Sequence, residues 1–279
     1  MRISIRHETR YDYAEPAAGV VMRLCLAPAS SNAQVVERWA VSVNGEPVER
    51  WISNGHGDAE AVWRAPGRIE SVVILAEGTV RTSDTAGVLK PSGGELRPRL
   101  FLRPTPLTAA DEAIAAFAER ARSPDGPLAS LHALCQLVHE DIAWRADSTT
   151  VDTVAAEAFA QRAGVCQDQS HIFIAAARSL GIPARYVVGY LRDPERPDGE
   201  HDPHAWAEAF VEGLGWIGFD PALGHCPVEG HVRLCCGLDA ADAAPIRGVM
   251  LPVAETKLSH DVLIASLPPD DAAQAQTQQ

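Results

Sequence analysis

Residues 163–191, AGVCQDQSHIFIAAARSLGIPARYVVGYL, read as a turn, a helix that begins at a cysteine, a glycine stop and a strand. Cys166 follows the flexible Gly164 and opens a helical run whose apolar positions are Ile172, Phe173, Ala176, Ala177 and Leu180. Gly181 ends the helix and Pro183 keeps it from resuming, after which Arg185–Leu191 alternates as a strand does. A thiol in the first turn of a helix faces the positive end of the helix dipole, which favours thiolate over thiol. Taken alone, the same pattern suits a small core cysteine. The reading therefore turns on what the rest of the chain brings to Cys166.

A cysteine nucleophile needs a base for its proton and a third group to orient that base. His204 opens HAWAEAFVEGLGWIGFDP, which reads as a β-hairpin with Gly213 and Gly215 at the turn and Asp220-Pro221 closing its second strand. With an odd-length loop such as Glu212–Leu214, Asp220 falls opposite Trp206, diagonal to His204 and on the same sheet face, about 7–8 Å away between backbones. Singly, His204 suits a strand edge and Asp220 a turn. Together with a cysteine at a helix start they form a nucleophile, a base and an orienter.

Working outward, residues 1–100 read as β-rich. Met1–Arg6, Thr9–Tyr13, Val20–Leu26, Ala59–Arg64 and Ile69–Val80 have strand character, and Asn44-Gly45 marks a hairpin between Trp39–Val43 and Glu46–Ile52. Short strands punctuated by Gly, Pro and Asn indicate an antiparallel β-sandwich. After a Gly/Pro connector, helices are expected from Thr108 as N-cap to about Arg122, from Pro127 through the stripe Leu128–Ile142, and near Thr153–Arg162. Residues 101–267 thus form an α+β half, and 268–279 a polar, disordered tail. The net charge of −13 over 279 residues argues against a nucleic-acid or membrane-surface partner. The first residues lack an apolar signal core, so a cytoplasmic protein with free thiols at all six cysteines is expected.

GVCQDQSH, GIPARYVVGY, HAW and GWIGFDP, in this order, resemble the transglutaminase-like superfamily of papain-fold cysteine enzymes. HETRYDY near the start is similar to the β-rich N-terminal domain of bacterial members, and VRLCCGLDAADAAPIRGV to the segment after their core. The resemblance implies a papain-like core of helices packed on an antiparallel sheet, with Cys166 as nucleophile, His204 as base and Asp220 as orienting acid. It also implies acyl transfer on a peptide or protein amide through a thioester, without a cofactor. The Cys166 backbone N–H and one side chain, Trp144 or Gln161, would hold the oxyanion. One departure is Ala222-Leu223-Gly224 after the aspartate, where relatives commonly carry Thr then Asn or Asp. Hydrolysis is placed ahead of protein-glutamine transamidation, because water is the abundant acceptor. A non-catalytic peptide-binding module is the alternative.

His201, Asp202, His204, His225, Cys226, His231, Cys235 and Cys236 offer metal-ligand chemistry, but none of their spacings is that of a zinc knuckle, so no metal is assigned. Asp168 and His171, on the cysteine-bearing helix, read as structural. The charged, proline-rich loop Arg192–Pro203 before the base is a candidate lid.

Overall fold

The computed structural model describes residues 1–90, 96–193, 198–251 and 255–268. Its first part holds β1 (Arg2–Ala17), β2 (Val21–Ala27), β3 (Gln34–Val43), β4 (Glu46–Pro47), β5 (Ile52–Ser53), β6 (Ala59–Arg64), β7 (Ile69–Thr82) and β8 (Val88–Leu89). There follow α1 (Glu112–Arg120), α2 (Pro127–Asp141), β9 (Ala143–Trp144), α3 (Ala155–Gln161), β10 (Ala163–Gly164) and α4 (Cys166–Ser179). The chain then forms β11 (Ala184–Leu191), β12 (Gly199–Glu200), β13 (His204–Val211), β14 (Gly215–Phe219), β15 (His231–Gly237), β16 (Ile246–Val249) and β17 (Thr256–Ser266).

The period-2 pattern of the first residues folds as one long strand. Ile3, Ile5, His7 and Thr9 of β1 point inward, and no break divides it where two strands were expected. β1 lies in a six-stranded sheet ordered β12-β17-β1-β7-β3-β4. A four-stranded sheet, β16-β2-β6-β5, packs against it. Ile3, Ile5, Val72 and Ile74 of the first sheet share one core with Met22, Leu24, Leu26 and Ala61 of the second, which is the expected sandwich. Asn44 and Gly45 both take positive φ, as the tight β3–β4 turn requires.

The third sheet, β15-β11-β13-β14-β8, carries the hairpin. Helix α4 lies on one face, where Ile172, Phe173 and Ala176 meet Ala205, Ala207, Ala209, Ile217 and Phe219. The alanines let the helix come close. Every residue of α4 from Asp168 to Arg178 is buried, since α1, α2 and α3 close around it. The opposite face meets the sandwich. Tyr190, Val232, Leu234 and Cys235 join the sandwich core. Beside them, Glu208 pairs with Arg185 at 2.6 Å and with Arg233 at 2.9 Å, and Arg233 reaches Asp58 at 2.8 Å.

The expected α+β class is thus found, but strand pairing crosses the boundary drawn between residues 100 and 101. β8 adds to the hairpin's sheet, whereas β16 pairs with β2 and β17 runs antiparallel to β1 from Ile3↔Ser266 to Tyr13↔Thr256. Local alternation identifies such strands and cannot say which partner lies some 250 residues away. Thr108 does not cap α1. Its hydroxyl is engaged by Thr105 and Arg178, and Asp111 caps the helix by accepting the Ile114 N–H at 2.8 Å. Of the candidate lid, residues 194–197 lie outside the described residues, as do 269–279 of the expected tail. Among the described residues no helix is long and apolar enough to cross a membrane.

Glu208 is fully buried between two arginines. Replacing it with leucine leaves buried positive charge short of a partner, which is expected to lower unfolding free energy by about 3–5 kcal/mol. Urea titration measures this, and a loss below about 1 kcal/mol would show that the network contributes little.

Candidate active site

The start of α4 is built by Asp168. Its Oδ2 reaches back over the first turn to accept the Val165 N–H at 2.8 Å and the Thr149 hydroxyl at 2.7 Å. Gly164 makes room for this, because a Cβ there would sit 2.6 Å from Asp168 Cβ. Burial raises the Asp168 pKa, and the Thr149 and Val165 hydrogen bonds oppose that shift. The carboxylate therefore serves the helix start, the structural role expected of it. Cys166 is the first residue of α4 and its thiol is half-buried. Its N–H is among the first-turn amides that lack an intrahelical acceptor.

The hairpin has the register its sequence implies. Ala207 pairs with Phe219, so Asp220 continues the ladder opposite Trp206. His204, the first residue of β13, places Nε2 2.6 Å from Asp220 Oδ2. This leaves Nδ1 as the nitrogen available to Cys166, whose thiol is near enough to the ring to help raise its pKa. Burial by itself would lower the His204 pKa. The Asp220 charge and hydrogen bond, with the Cys166 contact, overcome it and raise the value to about 10. Burial would likewise raise the pKa of Asp220, which is 0% exposed, but His204 and His231 hold it well below the usual carboxylate range. The helix supplies the thiol, and the sheet supplies the imidazole and the carboxylate that is bonded to it.

Asp220 has two further anchors. Its Oδ1 accepts the N–H groups of Ala222 and Leu223 at 3.0 and 3.2 Å, an Asx turn in which the unusual Ala222-Leu223-Gly224 run is accommodated. Gly224 takes φ +72°, and a Cβ on it would lie 2.9 Å from the His139 ring. His139 of α2 in turn donates from Nδ1 to the Ala222 carbonyl at 3.1 Å. His231 then brings Nε2 3.0 Å from Asp220 Oδ2. Sequence reasoning placed His231 only in a loose His/Cys set. The available signal was HVRLCCG, an alternating strand with His and Arg on one face.

The chain matches the transglutaminase-like superfamily over residues 115–221 and the bacterial transglutaminase-like N-terminal region over residues 3–81. The chain thus carries a transglutaminase-like core behind a bacterial transglutaminase-like N-terminal region. An uncharacterised protein of Mycobacterium leprae is 26% identical over 279 residues, covering 95% of this chain and 99% of its own. A protein-glutamine gamma-glutamyltransferase of Pseudomonas aeruginosa is 33% identical over 110 residues, 36% of this chain and 16% of its own. Among solved structures, a suggested cysteine protease from Cytophaga hutchinsonii superposes with a TM-score of 0.73 at 24% identity, covering 97% of this chain and 92% of the other, which establishes a shared fold.

Within this transglutaminase-like core the two oxyanion candidates differ in placement. Trp144 of β9 pairs with Gly164 of β10, two residues before Cys166, and its side chain is 62% exposed. Gln161 is the exposed last residue of α3, ahead of Arg162 in the left-handed region. His171 is buried on α4 and accepts the Ala240 N–H at Nε2, a structural bond. Of the His/Cys set, His204 and His231 gather on Asp220 with ligand atoms within 4.8 Å of one another. Their separations of 2.6 and 3.0 Å from Oδ2 are those of direct hydrogen bonds. Trp206 packs edge-on to His231 at 5.4 Å between centroids. Gly189 admits it, because a Cβ there would sit 2.7 Å from the Trp206 ring.

The raised His204 pKa carries a stability signature. A group whose folded pKa of about 10 exceeds its ordinary value of about 6.5 stabilises fully below the latter, and the contribution is lost as pH rises through the former. Thermal unfolding midpoints should therefore fall between about pH 6.5 and 10 more steeply in the native chain than in Asp220→Asn. Equal slopes in the two proteins would contradict the His204–Asp220 pairing.

Proposed function

We propose that the chain is a cysteine acyl-transfer enzyme that acts on amide bonds of peptides or proteins, with water as the favoured acceptor. The observation that carries this reading is the 2.6 Å hydrogen bond between His204 and the buried Asp220, on a ring whose pKa the nearby Cys166 thiol helps to raise. The Cys166 thiolate attacks the amide carbonyl carbon, and the carbonyl π electrons move to oxygen. The oxyanion is met by the Cys166 N–H and by a second donor, Trp144 or Gln161, of which the strand pairing of Trp144 with Gly164 favours the former. As the tetrahedral intermediate collapses, the C–N bond breaks and His204 Nδ1 gives its proton to the leaving amine, leaving a thioester. His204 then takes a proton from water, the hydroxide attacks, the C–S bond breaks, and the product acid departs. Asp220 keeps Nε2–H fixed throughout, so the ring always presents Nδ1 to the reacting atoms.

Transamidation is the second reading, supported by the match to the Pseudomonas aeruginosa protein-glutamine gamma-glutamyltransferase. In that case a lysine amine replaces water at the thioester. The two are separated by incubating the full chain with a peptide mixture in 18O-labelled water, with and without a labelled primary amine, and following Cys166 and the products by mass spectrometry. Hydrolysis gives a transient acyl adduct on Cys166 and 18O in the new carboxyl group. Transamidation puts the amine on glutamine. His204→Ala should slow acylation by about 100- to 10,000-fold. Should Cys166 carry no adduct and react with iodoacetamide no faster than an ordinary thiol, the chain is instead a peptide-binding module.

A further inference from the structure

Asp220 is more heavily anchored than a simple orienting acid requires. Its buried carboxylate receives four donors: the Ala222 and Leu223 N–H groups on Oδ1, and His204 and His231 on Oδ2. The His231 tautomer is set by its other nitrogen. The Val228 N–H donates to Nδ1 at 3.2 Å, so the ring hydrogen is on Nε2 and points at Asp220. The ring is also clamped sideways by Trp206 at 5.4 Å and His204 at 5.8 Å between centroids.

We infer that His231 is a positioning residue, whose Nε2–H holds Asp220 Oδ2 in the place from which it orients His204. The inference rests on the acyl-transfer reading. The reason lies in the His204 cycle. When His204 has given up its Nδ1 proton, the ring is neutral and its bond to Oδ2 weakens from charge-assisted to ordinary strength. Asp220 has no solvent access to make up the difference. A buried carboxylate oxygen short of a donor protonates or turns away. His231 supplies a donor that does not change during the cycle, so Oδ2 stays ionised and aimed at His204. Other ionisable groups around this cluster are Cys166, which contributes to the His204 shift, Cys135 of α2, whose thiol pKa is raised by burial and by Asp220, His225, whose ring centroid is 6.3 Å from that of His231, and the paired Glu208 and Arg233, which line one cavity with Trp206 and His231.

The test is the pH dependence of Cys166 alkylation by iodoacetamide, from pH 5 to 9, on the full chain. His231→Asn keeps a polar atom at the Nδ1 position for the Val228 N–H but is too short to reach Asp220. His231→Gln can place an amide donor near the Nε2 position. His231→Phe retains ring volume, removes both bonds, and serves as a second loss variant should the asparagine variant fold poorly. In the native chain labelling should stay fast at pH 6. In His231→Asn and His231→Phe the pH midpoint of labelling should rise by about one unit, with about tenfold slower labelling at pH 6, while His231→Gln returns to within about threefold. Thermal unfolding of each variant separates this from general loss of structure, which would not restore the profile in the glutamine variant alone. A folded His231→Asn or His231→Phe with the native profile overturns the inference, as does a folded His231→Gln as slow as His231→Asn. Should the native chain itself label slowly, and no slower in His204→Ala, the acyl-transfer reading has failed and the positioning role falls with it.

Discussion

The buried carboxylate of Asp220 is the constraint around which the site is arranged. An anion with no solvent access is stable only when hydrogen-bond donors replace its hydration. Here they come from three places: the turn that follows Asp220 itself, the start of β13 and the start of β15. Satisfying the carboxylate therefore fixes where two strands begin relative to the end of a third. The His204 imidazole is one of those donors, so the requirement that stabilises the anion also places that ring.

Cys166 is located by an independent device. Asp168 turns its carboxylate back onto Val165 and Thr149, and Gly164 has no side chain to obstruct it. That pins the first turn of α4, while the alanine-rich contact with β13 sets the distance between helix and sheet. Two buried carboxylates thus do different work. Asp168 organises the backbone at the start of the helix, its Oδ2 held by Val165 and Thr149. Asp220 organises the His204 and His231 rings.

The local parts of this arrangement were legible in the sequence because each is specified within about twenty residues. The helix start at Cys166, the stop at Gly181, the hairpin with its odd loop and the consequent register of His204 and Asp220 all depend on near neighbours and came out as read. What was not legible depends on distant pairing. β17 completes the first sheet by lying beside β1, and nothing in either strand names the other. The α1 cap fell on Asp111 because Thr108 is claimed by Arg178, a residue seventy positions away. His231 escaped for the same reason: its partner is set by how β15 meets β11, across a bulge between Val188 and Gly189, and not by its spacing from other ligand-type residues.

β15 also explains why the sandwich is joined to the core as tightly as it is. It is an edge strand, hydrogen-bonded to β11 on one side only, and its outer backbone groups would otherwise be left without partners in a buried interface. The sandwich caps them with side chains. Gln34 accepts the Arg233 N–H at 2.8 Å and donates to the Arg233 carbonyl at 2.9 Å, imitating a neighbouring strand. Asp58 accepts the Cys236 N–H with one oxygen and holds the Arg233 guanidinium with the other, both at 2.8 Å. Arg233 stands two residues from His231, so the N-terminal domain grips the strand that presents the second imidazole to Asp220. On this argument the sandwich helps to fix the hydrogen bonds around Asp220, and separating the two halves would leave β15 with an uncapped edge and His231 without a fixed support.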